Sequence, residues 1–174
     1  MLTFDFDTPE RNAAYRYGGF ALFLAVAVIL TALGFEHLGG YAPCPLCLMQ
    51  RYAYYAAIPL LFIAMALVSE MPRLAGFIFF AVALAFLANA GIGVYHAGVE
   101  WKFWPGPDTC GTAQALPVSP ADLLTGLAQD RVVRCDEPAW SFAGLSMAGW
   151  NVVASLVVFT LAIKAAFLAA TART

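Results

Sequence analysis

The chain has 174 residues, 62% of them hydrophobic and only 11% charged, with a mean hydropathy of +0.77. A soluble domain is about half apolar and a quarter charged, so this composition excludes an ordinary soluble fold and indicates a membrane protein. The net charge of −2, with no basic patch and no interleaving of lysines with aromatics, gives no sign of a nucleic-acid partner.

Four apolar segments of spanning length follow one another. They run roughly over residues 17–35, 46–68, 74–95 and 142–168. Each is about 20 residues or slightly longer, enough to cross roughly 30 Å of hydrocarbon as a helix. The region before the first carries Asp5, Asp7 and Glu10 beside Arg11 and Arg16. That is poor for the positive start of a signal peptide, and the first segment reads as an uncleaved helix. The expected fold is an all-α, four-helix transmembrane bundle forming one domain, 1–174, with outer loops at about 36–45 and 96–141.

Lysine and arginine placement orients the spans. Arg11, Arg16, Arg73, Lys164 and Arg173 lie in the N-terminal tail, the short second loop and the C-terminal end. Those are five basic residues in about 30 positions. Lys102, Arg131 and Arg134 are three in the nearly 50 positions of the long third loop. Both termini are therefore expected in the cytoplasm. All four cysteines, Cys44, Cys47, Cys110 and Cys135, then face outside, in a bacterium the periplasm, where disulfides persist. Four cysteines allow three pairings, and the sequence alone does not choose among them.

The stretch CPLC (44–47) opens the second span. Pro45 suits the first helical position, making Cys44 the N-cap and placing Cys47 in the first turn. Unpaired N–H groups and the positive end of the helix dipole stabilise a thiolate there. Arg51, four residues on, shares that face and adds a positive charge. The thiolate is the form that exchanges disulfides. A structural disulfide across two residues would close almost no chain and stabilise little. A closed zinc site would need four clustered ligands, whereas the second cysteine pair is widely spaced, and no metal is expected. Arg51 has a plainer reading as an interfacial snorkelling side chain.

In the long loop, "SPADLLTGLAQ" (119–129) predicts a short amphipathic helix capped by Ser119, with Leu123, Leu124 and Leu127 on one face. That face would rest on the membrane or on the bundle. A Cys110–Cys135 bridge would close about 25 residues and stabilise by roughly 3 kcal/mol as a staple. The same two cysteines would equally serve as a mobile dithiol between a soluble partner and the membrane, and spacing leaves both readings open. His96, at the outer end of the third span, reads as a packing residue or a catalytic one. Trp101, Trp104 and Trp140 are expected as interface anchors, and Asn151 as a cross-bundle hydrogen-bonding group.

An electron acceptor for a membrane dithiol is narrowed by what is missing. The sequence carries no dinucleotide-binding glycine fingerprint, and Leu48 stands where haem attachment would need histidine. A lipid-soluble quinone reaching the top of the bundle fits, with Arg51 placed to bond its carbonyl.

These residues together resemble the DsbB family of bacterial inner-membrane disulfide-bond oxidases, which reoxidise the periplasmic thiol oxidase DsbA. The resemblance spans nearly the whole chain. It rests on four spans, "CPLCLMQR", "YHAGVEWKFW", two loop cysteines and "SMAGWN". Electron flow from DsbA through DsbB to quinone keeps the bacterial periplasm oxidising, and that link comes with the family, not from these residues. The resemblance implies that Cys110 and Cys135 exchange with a DsbA-like partner, Cys110 forming the mixed disulfide. It implies that Cys44 receives the electrons from Cys135, and that Cys47 faces a ubiquinone or menaquinone. Arg51 and His96 match quinone-site residues, and the short loop helix matches a horizontal helix of the family. Gln50 stands where some members carry Glu. A quinone reductase of the vitamin K epoxide reductase kind, and a non-catalytic four-span protein stapled by disulfides or zinc, are the competing readings.

Overall fold

The computed structural model describes residues 8–107, 110 and 135–172. Among them the chain forms α1 (Pro9–His37), α2 (Pro45–Leu67), α3 (Pro72–Glu100), the two-residue strands β1 (Ser141–Phe142) and β2 (Leu145–Ser146), and α4 (Met147–Thr171). All four helices are long and apolar enough to cross a membrane. The protein is an all-α, four-helix membrane bundle.

Each helix starts where local chemistry tells it to. Thr8 caps α1 by accepting from the Arg11 N–H, and Pro9 and Glu10 follow in the first turn. Cys44 and Pro45 do the same for α2, and Ser146 for α4, accepting from the Gly149 N–H. Pro72 opens α3. α1 stops where the Leu38 and Gly39 N–H groups both return to the Gly34 carbonyl, and Gly40 takes a φ of +71°.

The helices pack through small residues. Ala14, Gly18, Ala21 and Ala25 line the buried face of α1, and Ala162, Ala165, Ala166 and Ala169 that of α4. α3 meets α4 at Gly76, against Ala166 and Ala170, and at Gly93, against Val152. At Gly76 the backbones come so close that a Cβ would stand 3.0 Å from the Ala166 carbonyl oxygen. Apolar chains gain no hydrophobic drive by leaving lipid for one another, so close backbone approach supplies the van der Waals attraction instead. Many large side chains point outward, Phe23 being 74% and Phe77 70% exposed, a surface suited to hydrocarbon, while Phe79 and Phe86 fill the core.

Three boundaries differ from the sequence-based expectation. α1 begins at Pro9 and not near residue 17, because the Thr8 cap lets the polar first turns join the helix. α3 continues past Tyr95 to Glu100, so His96 and Glu100 belong to the helix and not to the outer loop. Nothing between them breaks a helix. The break comes at Lys102, with a φ of +60°, and Trp104 folds its ring over Gly98, where no Cβ would fit. The fourth helix begins at Met147. Residues 141–146 form an antiparallel hairpin whose turn, Ala143 and Gly144, has positive φ at both positions. The amphipathic helix expected at 119–129, and with it Arg131 and Arg134, lies outside the described residues.

The packing predicts a contrast between two glycines. Gly76→Leu should force α3 off α4 and destabilise the bundle by about 1–3 kcal/mol. Gly91→Leu has nothing within 4 Å of the new Cβ and should leave stability near wild type. Thermal unfolding in detergent micelles reads both. Equal midpoints would show that the α3–α4 approach is not tight.

Candidate functional site: a dithiol at one end of the bundle

The N-terminus of α2 carries the chemistry. Cys44 is the N-cap, as the sequence suggested, and its Sγ accepts the Cys47 backbone N–H at 3.2 Å. The two sulfurs lie 2.6 Å apart as free cysteines, Cys44 buried and Cys47 partly so. The contact with Cys47, and then burial, push the Cys44 thiol above its ordinary value. The direction of that push favours the shared proton on Cys44 over Cys47.

The other pair is bonded. Cys110 and Cys135 form a disulfide. Both pack with Cys44, Leu46 and Val99 in one buried cluster, with Cys47 against it. Of the three possible pairings, the structure therefore holds the one that joins the two loop cysteines, and it brings that bridge against the helical pair.

Arg51 lies one turn below Cys47 and forms an ion pair with Glu36 of α1. Its side chain is 12% exposed, so it does not reach for water as a snorkelling arginine would. His96 reaches the same place from α3. Its Nε2 lies 3.6 Å from Cys44 Sγ and 3.9 Å from Glu100 Oε1. Glu100 in turn accepts a hydrogen bond from Ser146, the cap of α4.

From His96 a string of polar side chains runs into the bundle. His96 Nδ1 meets Gln50 Nε2 at 2.9 Å, and Gln50 Oε1 accepts from Asn151 Nδ2 at 2.6 Å. Asn151 Oδ1 accepts from the Tyr54 hydroxyl at 2.7 Å. Tyr54 also touches Ser155 Oγ at 3.5 Å, which accepts from Asn89 at 3.0 Å. The string joins α2, α3 and α4. Asn151 bonds across the bundle as its sequence position implied.

A cavity of about 720 Å³ opens beside the dithiol, between α1, α2 and the start of α4. Phe35, Trp140, Phe142 and Trp150 give it apolar walls, while Cys44, Cys47, Arg51 and His96 supply its polar edge. Its size is that of a small-molecule site. Trp140 thus contributes to the cavity, its ring stacked on Phe142, while Trp101 is exposed.

Cys44, Cys47 and His96 place three ligand atoms within 4.8 Å of one another. Two thiolates on a tetrahedral zinc would stand about 3.8 Å apart, given Zn–S of about 2.3 Å. At 2.6 Å the sulfurs are placed to bond each other rather than to share an ion.

Inspection of the sequence missed Glu36, Glu100 and Tyr54. Glu36 and Glu100 carried a signal, being carboxylates at the ends of apolar helices, where an ionisable group needs a partner. Tyr54 carried none, because a tyrosine in an apolar helix is ordinary.

Fold and site together define a membrane protein that holds a dithiol and a disulfide in contact at one end of a four-helix bundle. Residues 16–165 match the model of the family described as DsbB, disulfide bond formation protein DsbB. The chain belongs to this family. It is 36% identical to disulfide bond formation protein B of Aromatoleum aromaticum over 157 residues, covering 82% of this chain and 89% of that one. To the protein of the same name from Azoarcus sp. it is 32% identical over 146 residues, 76% of this chain and 82% of the relative. Disulfide bond formation protein B 1 of Pseudomonas fluorescens is 31% identical over 141 residues, covering 79% and 80%. No solved structure matches the chain.

The polar string predicts a measurable contribution from one hydroxyl. Tyr54→Phe should lower bundle stability by about 0.5–1.5 kcal/mol, the range for interhelical hydrogen bonds in membranes. Tyr52→Phe, on the exposed face, should change nothing. Denaturation in mixed micelles checks the pair, and equal losses would show that the string carries no weight.

Proposed function

We propose that the chain is a thiol:quinone oxidoreductase of the bacterial inner membrane, with both termini cytoplasmic and the cysteines periplasmic. It accepts electrons from a reduced DsbA-like thiol oxidase and passes them to ubiquinone or menaquinone, sustaining disulfide formation in secreted proteins. The observation that carries this reading is the apolar cavity whose polar edge is Cys44, Cys47, Arg51 and His96. Family membership supports the disulfide chemistry.

The steps balance in thiols and disulfides. The partner's thiolate attacks the Cys110–Cys135 bond at Cys110, and the partner's second thiol resolves the mixed disulfide. The partner leaves oxidised, and Cys110 and Cys135 are dithiols. The Cys135 thiolate then attacks Cys44 of a Cys44–Cys47 disulfide, and Cys47 leaves as thiolate. Cys110 resolves the Cys44–Cys135 bond, and the loop pair is oxidised again. Two electrons and two protons now reside at Cys44 and Cys47. The pairing found here, loop cysteines bonded and helical cysteines free, is the distribution after this transfer.

The residues present fit a quinone. The cavity walls are aromatic and apolar, and the Arg51 guanidinium sits on the same helical face as Cys47. A quinone supplies a two-electron, two-proton sink. Arg51 would hold its carbonyl oxygen and favour negative charge there. Glu36 holds Arg51 in place and offsets its charge. The helix N-terminus favours the thiolate at Cys47. When Cys47 and Cys44 rejoin, the proton on Cys44 must leave.

The test is quinone reduction by the purified protein in detergent, with a reduced DsbA-type donor. Wild type should turn over, and Cys47→Ser should not, while still forming the mixed disulfide through Cys110. Arg51→Ala should raise the KM for quinone about tenfold or more, the effect of losing one hydrogen bond to a charged group. It should leave partner exchange near normal. Unchanged quinone kinetics in Arg51→Ala would remove that residue's role. No wild-type turnover with several quinones and donors would leave the four cysteines as structural.

A further inference from the structure

The donors and acceptors of the polar string all run one way. Tyr54 donates its hydroxyl proton to Asn151 Oδ1, so Asn151 presents its amide N–H to Gln50. Gln50 accepts at Oε1 and has its own N–H left for His96 Nδ1. A side-chain amide has one accepting and one donating end, so each link sets the next. Nδ1 is then an acceptor with no proton. In neutral imidazole the proton sits on the other nitrogen, so Nε2 carries it. The surroundings of Nε2 agree independently. Its two neighbours are the Cys44 sulfur at 3.6 Å and the Glu100 carboxylate at 3.9 Å, both able to accept. Cys44 Sγ receives a second N–H from the Cys47 backbone and lies 2.6 Å from Cys47 Sγ.

We propose that Gln50 is a positioning residue that fixes His96 as the Nε2–H tautomer, so that a one-way chain of hydrogen bonds from Tyr54 through Asn151, Gln50, His96 and Cys44 ends on Cys47. Every donor in that chain points towards the Cys47 sulfur. Aligned hydrogen bonds polarise one another in a low-dielectric interior, so the chain favours negative charge on Cys47 from inside the bundle. Arg51 favours it from the α1 side. With the other tautomer, Nε2 would present a lone pair to Cys44, draw its proton and weaken its bond to Cys47. The two tautomers differ in which ring nitrogen carries the proton, and with it in the direction of the donors. Among the described residues, the charged groups that line this end are Arg51 of α2, Glu36 of α1, Glu100 of α3 and Glu137 of the segment before the hairpin. Gln50, His96 and Tyr54 are 5% exposed or less, and Asn151 is half-buried.

The tautomer part needs no quinone, while the effect on Cys47 rests on the reading of Cys47 as the reactive thiolate. The chain has two histidines, so His37→Gln leaves His96 alone. Nitrogen-15 NMR of the histidine-labelled full-length protein in micelles then reports which ring nitrogen is protonated. Wild type should show Nε2–H. Gln50→Leu, of similar volume, should reduce the ratio of Nε2–H to Nδ1–H about five- to tenfold, the effect of one hydrogen bond. Asn151→Leu should do the same without touching the ring, because it frees Gln50 to turn. A wild-type Nδ1–H form, or a ratio unchanged in both variants, overturns the assignment.

The second readout is the ultraviolet thiolate absorbance of the protein with Cys44 and Cys47 reduced. In both variants it should fall about threefold at neutral pH relative to wild type. A shifted tautomer ratio with unchanged thiolate overturns the link to Cys47. No thiolate and no quinone turnover in wild type would sink the functional reading, whereas a wrong tautomer in an active wild type would sink this inference alone.

Discussion

The hydrogen bond between Gln50 and His96 is the constraint around which this end of the molecule is built. Two buried polar groups in an apolar bundle cost several kcal/mol if left without partners, and lipid offers none. Satisfying them ties α2 to α3 at one level, and the Asn151 bond to Gln50 brings α4 to the same level. Once those three helices are in register, Cys44 has no choice but to lie against the imidazole. Further along the bundle, alanine and glycine faces set how close the helices come. The small residues set the spacing, and the polar string sets the register. Small-residue packing alone would tolerate a slide of one helix along another, but a string of directional bonds would not.

Charge is handled by local pairing. Arg51 and Glu36 come from different helices and neutralise each other beside the cavity. An isolated guanidinium there would carry a large desolvation penalty, and an isolated carboxylate would take up a proton instead. Glu100 is placed differently, with Ser146 bonding one of its oxygens and His96 lying near the other. Because Ser146 also caps α4, the position of that helix is tied to a carboxylate of α3. The dithiol thus sits between a neutralised ion pair and a polar string. Both are anchored in helices.

Much of this was legible in the sequence, for stated physical reasons. Four apolar runs of spanning length leave a chain few ways to fold in a membrane, so the bundle followed from length and hydropathy. The N-cap role of Cys44 followed from Pro45, and the shared face of Cys47 and Arg51 from helical spacing. The helix boundaries were less legible. Hydropathy marks where lipid-compatible residues begin, whereas caps such as Thr8 and turn residues such as Ala143–Gly144 mark where helices begin. The partners of Arg51 and His96 were not legible at all. Glu36 is 15 positions from Arg51 and Gln50 is 46 from His96. Such contacts depend on helix rotation, which composition does not encode. The sequence shows Gln50 as a polar residue near the dithiol, but its place as a link between helices depends on the same rotation.

The arrangement also explains, under the proposed function, why the four cysteines divide as they do. A pair that must meet a soluble protein belongs beyond the helices, and Cys110 and Cys135 lie there, in the segment between α3 and the hairpin. A pair that must meet a membrane-soluble acceptor belongs at a helix end beside a cavity, as Cys44 and Cys47 do. Electrons can pass between pairs only if one sulfur of each can touch. Cys44 is buried in one cluster with Cys110 and Cys135, and the partly buried Cys47 packs against that cluster, one helical turn from Arg51. Under the proposed function, Cys44 would take the inward step from the loop pair and Cys47 the outward step to the acceptor. A cap residue suits the first role, because its backbone is extended and its side chain lies at the very end of the helix. A first-turn residue suits the second, because the free N–H groups of that turn support the charge it must carry.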